Sequence, residues 1–148
     1  MILVDTNVLV RLRDEMSPEH ADCRRVLEAA ADGRLNLVCC AQVIIEYWAV
    51  ATRPKNVNGL GLMPEAASAD LYNLLDVIDL IPEPPDVGTR WLTLVSTHRV
   101  SGRPSHDARI VALMEAEGIQ QIVTLNAGDF ARFKTIKCLT PEQLMASA

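Results

Sequence analysis

The chain has 148 residues, of which 49% are apolar and 22% charged, so it is long enough for one substantial core and too apolar to stay disordered. Its formal charge of −5 does not advertise a nucleic-acid partner, although a carboxylate-rich metal site would itself add negative charge and basic residues can still cluster locally. No stretch reaches the roughly 18 apolar residues of a membrane helix, and no basic segment leads into a long apolar one, so a cytoplasmic protein is expected.

The chain opens with Met1-Ile-Leu-Val-Asp-Thr-Asn7. Three consecutive apolar residues, Ile2 to Val4, predict a strand buried on both faces, as in a parallel sheet. Asp5 then falls at the carboxyl end, where ligands gather in such sheets. Taken alone, it reads first as a helix cap or an Asx-turn with Asn7. Residues 8–13 predict one or two helical turns. Ser17-Pro18-Glu19 predicts the start of a second helix with Pro at its first position, running to about Ala31 and stopped by Asp32-Gly33. Residues 35–40 form a second apolar strand.

Residues 42–53 predict a helix apolar on most sides and therefore buried. Gln42, Glu46, Ala49 and Arg53 share one face of it, either as a polar stripe into a site or as its solvated side. Pro54 ends this helix, and residues 56–62 form a loop. Pro64 introduces a helix to about Val77, with Leu80-Ile81 as a short third strand. Asp86 caps the next helix, up to about Arg99, in which Trp91 reads as core. Between Val87 and His106 there is no Asp or Glu, but there are Arg90, His98, Arg99, Arg103 and His106. That stretch is either a clamp for a nucleic-acid backbone, helped by Arg11, Arg13, Arg53 and Lys55, or an ordinary solvated loop. His20 and His98 read as plain surface residues.

Residues 106–117 predict a helix stopped by Gly118. Asp107 lies in its first turn and in register with Ile110, Val111 and Met114, on the buried face. It is a helix-start carboxylate by position, but one facing the core needs a partner. Residues 121–125 predict a fourth strand, followed by the turn Asn126-Ala-Gly-Asp129, again at a carboxyl end. Residues 136–139 are a fifth strand, and Thr140-Pro-Glu-Gln143 opens a terminal helix. Cys23, Cys39, Cys40 and Cys138 lack a C-x-x-C spacing and read as small apolar residues in a reducing compartment. Alternating strands and helices predict a parallel α/β sheet with helices on both faces. Three or four carboxylates meeting there without Cys or His suit Mg²⁺ or Mn²⁺, ions that serve phosphoryl transfer.

The sequence resembles the PIN-domain family, and within it the VapC-type toxins of bacterial toxin–antitoxin pairs. The residues that carry the resemblance are Ile2-Leu-Val-Asp-Thr-Asn7, Glu46 with Ala51-Thr-Arg-Pro54, Asn58-Gly-Leu-Gly-Leu62, His106-Asp-Ala-Arg109 and Ile122-Val-Thr-Leu-Asn-Ala-Gly-Asp-Phe130, in order along the chain. The resemblance implies one PIN domain over residues 1–148, with a three-layer α/β/α fold and a five-stranded parallel sheet. It implies an endoribonuclease dependent on Mg²⁺ or Mn²⁺, working as a homodimer and inhibited by a cognate antitoxin. The family's acids fall on Asp5, Glu46 and Asp107, with Asp129 expected as the fourth. Asn126 could instead bind a metal water or position Asp5. Thr6, Asn7 and Thr124 are expected to hydrogen-bond around the acids, and Arg53, Arg99 and Arg103 to hold the RNA. In this reading water is activated for in-line attack on an RNA phosphodiester, leaving a 5′-phosphate and a 3′-hydroxyl. Among other readings, a catalytically silent PIN-like module binding RNA or protein is disfavoured by the three principal acids. A receiver domain is disfavoured by Pro82-Glu83-Pro84 after the third strand, and a structure-specific DNA nuclease by the shortness of the chain.

Overall fold

The computed structural model describes residues 1–148. Five strands and seven α-helices follow one another as β1 (Ile2–Val4), α1 (Thr6–Arg13), α2 (His20–Ala31), β2 (Leu37–Cys39), α3 (Ala41–Thr52), α4 (Pro64–Leu75), β3 (Asp79–Leu80), α5 (Val87–Thr97), α6 (Pro104–Glu117), β4 (Gln121–Val123), β5 (Lys137–Leu139) and α7 (Pro141–Ser147). Short 3₁₀ turns occupy Lys55–Val57 and Ala127–Phe130.

All strand pairs are parallel, in the order β3-β2-β1-β4-β5. The chain winds outward from β1 through β2 to β3, then returns to the other side of β1 for β4 and β5. That reversal makes a topological switch point between β1 and β4, where a crevice opens beyond the carboxyl ends of the strands. Helices α1, α2, α3, α4 and α7 contact one another in a linked layer, and α5 pairs with α6. This is the α/β architecture with a five-stranded parallel sheet that the strand pattern predicts.

Strands β1 and β2 are buried at every position, as central parallel strands are. Both residues of β3 are exposed, which fits its place at the sheet edge. The expectation of a fully buried helix transfers from α3 to α6. Five successive residues of α6, Ile110 to Met114, are buried, so apolar side chains cover its whole circumference. In α3, Ile45 is 62% and Trp48 39% exposed, so that helix is buried on one side only. Pro18 does not open α2, which starts two residues later at His20. Pro104 does open α6, two residues earlier than its periodicity suggests. Gly118 ends α6 in the left-handed conformation, φ 69°, as a C-terminal glycine commonly does.

Two histidines are less superficial than expected. The His98 ring meets Phe133 edge-on at 5.0 Å, and His20 Nδ1 lies 3.1 Å from the Arg11 carbonyl. The cysteines are all free, three of them buried.

Candidate metal centre

Asp5 leaves β1 and becomes the N-cap of α1, its Oδ1 accepting the Thr6 amide at 2.8 Å. The cap does not exclude a site role, because the other oxygen faces a different network. Oδ2 accepts the Thr124 hydroxyl at 2.7 Å and the Asn7 carboxamide at 3.0 Å. Asn7 also donates to Thr124 Oγ1 at 3.2 Å and accepts the Leu125 amide at 3.1 Å. The Asn126 amide completes the set with a 3.0 Å bond to Thr124 Oγ1. The ends of β1 and β4, adjacent in the sheet, are thus tied together through side chains, with Asp5 at the centre.

Glu46 projects from the middle of α3. Its Oε2 accepts the Thr6 hydroxyl at 2.9 Å and its Oε1 the Gln42 amide at 2.9 Å. Asp5 and Glu46 are therefore both held at both oxygens. A carboxylate offers about four acceptor positions, so each keeps capacity for a further ligand. Asp107, in the first turn of α6, and Asp129, in the 3₁₀ turn after β4, accept no hydrogen bond within the protein and join no ion pair.

These four acids face one open cleft. One part, of about 480 Å³, is walled by Thr6, Glu46, Arg53, Arg103, Asp107 and Asp129 among others. A contiguous part adds Asp5, Asn7, Arg11, Asn58 and Asn126. Burial pushes the Asp107 carboxyl up to about 7, the charges of Asp129, Asp5 and Glu46 add to the rise, and Arg103 opposes it. Asp5 is also raised, chiefly by burial, against the lowering effect of its Thr124 and Thr6 bonds. The acids repel one another more than neighbouring Arg103 compensates, which is the environment a bound cation relieves.

The donor set is all oxygen, which suits a hard cation such as Mg²⁺ or Mn²⁺ and not a soft one. No three of the acids stand close enough together to hold a metal ion by themselves. That too fits Mg²⁺, which keeps several of its waters and takes only one or two carboxylates directly.

The basic residues divide. Arg103 stands at the N-cap of α6 and, with Arg53, lines the cleft; neither is ion-paired. Arg53 Nη2 donates to the Asn58 carbonyl at 3.0 Å. Arg99, in the left-handed region with φ 51°, does not line the cleft. Arg13 turns toward Asp70, 3.5 Å away, on another face. Lys55 lies in a separate groove beside Arg13 and Asp14.

Two residues beside the acids have no site role assigned from sequence. Asn58, with φ 62°, borders the acids, and its Asn-Gly dipeptide was the available signal for a left-handed turn. Gly59 after it has no freedom to change, since a Cβ there would stand 1.8 Å from the Arg53 carbonyl oxygen. Gln42, one of four residues on the polar stripe of α3, is buried and donates to Glu46.

Residues 2–135 match the PIN domain family. Ribonuclease VapC24 of Mycobacterium tuberculosis is 27% identical over 134 residues, covering 90% of this chain and 91% of that protein. In the structure of VapBC2 from Rickettsia felis bound to a DNA fragment of its promoter, a chain of 18% identity superposes with a TM-score of 0.69, covering 95% of this chain and 98% of that one. A toxin–antitoxin complex from Klebsiella pneumoniae gives a TM-score of 0.65 at 19% identity, with 95% and 98% coverage. The chain belongs to the PIN-domain family, and its homologues are VapC ribonuclease toxins of toxin–antitoxin systems.

Proposed function

We propose that this chain is an endoribonuclease dependent on Mg²⁺ or Mn²⁺, a VapC-type toxin whose cognate antitoxin covers the acidic cleft. The observation that carries the reading is that Asp5, Glu46, Asp107 and Asp129, from four separate segments, line one cleft at the switch point of the sheet. Relatedness to a ribonuclease over nine-tenths of the chain supports RNA as the substrate.

A divalent cation in this cleft supplies Lewis acidity toward phosphate and lowers the pKa of water. Asp5, Glu46, Asp107 and Asp129 would hold such a cation, one or two of them directly and the others through its waters, with Asp5 and Glu46 each fixed at both oxygens. Thr6 serves both fixed acids, through its amide to Asp5 and its hydroxyl to Glu46. Thr124 and Asn7 keep Asp5 oriented, and Asn126 bonds Thr124 from the same turn that carries Asp129. Arg53 and Arg103 orient the phosphodiester at the rim and offset the charge of the acids. An arginine from an antitoxin segment would meet the same carboxylates and block the cleft; relatives are found in toxin–antitoxin complexes, which supports such a partner. A homodimer belongs to the same reading.

The test is incubation of purified, antitoxin-free protein with total bacterial RNA and Mg²⁺ or Mn²⁺. Discrete fragments that vanish with EDTA and with Asp107→Asn are expected. Folded protein that binds metal and cleaves none of the RNA offered would favour a silent binding module instead.

A further inference from the structure

Gln42 lies at the start of α3, four residues before Glu46, and is only 6% exposed. Its Nε2 donates to Glu46 Oε1 at 2.9 Å and to the His106 carbonyl at 2.8 Å. One amide group thus commits both hydrogens. One holds a cleft carboxylate, and the other holds the backbone of the residue immediately before Asp107, 64 positions along the chain. The carbonyl oxygen of the same amide is buried and accepts nothing.

A buried acceptor without a donor costs stability, and an apolar side chain of similar length would avoid the cost. Such local violations concentrate where geometry serves a site. Here the geometry gained is a strut between α3 and the first turn of α6, two elements that otherwise contribute Glu46 and Asp107 independently.

We propose that Gln42 is a positioning residue that locks Glu46 to the first turn of α6, so that Glu46 and Asp107 meet a divalent cation as a preset pair. The inference rests on the reading that the cleft binds such a cation. Thr6 already fixes the other oxygen of Glu46 from α1. Gln42 extends that frame to α6, so α1, α3 and α6 share one chain of hydrogen bonds. Without Gln42, Glu46 keeps only its Thr6 bond, and the His106 carbonyl, next to Asp107, loses its tie to α3.

Calorimetric Mn²⁺ binding to the full chain tests this with Gln42→Met, which keeps the length and removes both donors. Loss of a partner behind metal ligands typically weakens binding about 10- to 100-fold, and a drop of at least about tenfold is expected. RNA binding measured without metal should not change. A folded Met variant that binds Mn²⁺ as tightly as the wild type overturns the inference alone. A wild type that binds no Mn²⁺ overturns the cation reading and this inference with it. A second measurement needs no substitution. In the ¹⁵N-labelled wild type, Mg²⁺ titration should shift the Gln42 side-chain amide and the backbone amides of Glu46 and Asp107 with one common midpoint. Separate midpoints, or a Gln42 amide that does not respond, would overturn it.

Discussion

Thr124 donates its hydroxyl to Asp5 Oδ2 at 2.7 Å, joining the carboxyl ends of β4 and β1 across 119 positions of sequence. Thr124 has no exposed surface and Asp5 is 8% exposed, so water cannot replace the bond without rearrangement. Thr124→Val keeps the shape and deletes the donor. It should lower conformational stability by about 1–3 kcal/mol, the cost of leaving a buried charged acceptor short of a partner. Urea unfolding would show this as a lower midpoint at unchanged slope.

Stability of the metal-free protein should fall as pH rises from about 4 to about 7. Burial and neighbouring acids raise the Asp107 carboxyl to about 7, from 3.8 in a free chain. Between those values the folded state holds a proton that the unfolded state has released. The unfolded state binds fewer protons there, so unfolding becomes easier with rising pH. Asp5, also raised, acts in the same direction. In melting curves the wild type should lose more stability than Asp107→Asn across this window. Mg²⁺ or Mn²⁺ should then stabilise the wild type more at pH 8 than at pH 5.

Arg53→Ala and Arg103→Ala should each weaken RNA binding and flatten the salt dependence of log K by about one unit. Arg99→Ala should change neither, because Arg99 lies off the cleft wall. Binding measured at several salt concentrations separates the three.

Asp129 and Asn126 share the turn after β4, but only Asp129 lines both parts of the cleft, and its charge is the foremost acidic influence on Asp107. Asp129→Asn should therefore weaken Mn²⁺ binding and slow RNA cleavage by more than about tenfold. Asn126→Ala should do less on both counts, since its amide bond to Thr124 is made by the backbone and survives the substitution.

Periodicity and strand-end logic made much of this legible. The apolar runs at Ile2–Val4 and Leu37–Cys39 predict buried parallel strands, and Asp5 follows the first of them directly. Asp107 was marked by sharing a face with Ile110 and Met114, both buried. What local sequence lacks is the long-range neighbour. Nothing near Gln42 reveals that the His106 carbonyl faces it, so a helical wheel leaves open whether its polar stripe enters a site or is solvated. Arg99 and Arg103 look like one basic cluster in the chain. Only Arg103 lines the cleft, after a backbone that turns left-handed at Arg99 and again at Gly102. Trp48 and Ile45 are apolar by type yet exposed, because periodicity reports which faces can be buried and not which faces another element reaches.

The most direct test of the central claim is the chemistry of the RNA ends. Hydrolysis by water activated among the carboxylates is expected to leave a 5′-phosphate and a 3′-hydroxyl on every fragment that depends on Asp107. Fragments ending in a 2′,3′-cyclic phosphate would mean that the RNA's own 2′-hydroxyl is the nucleophile, and would contradict it.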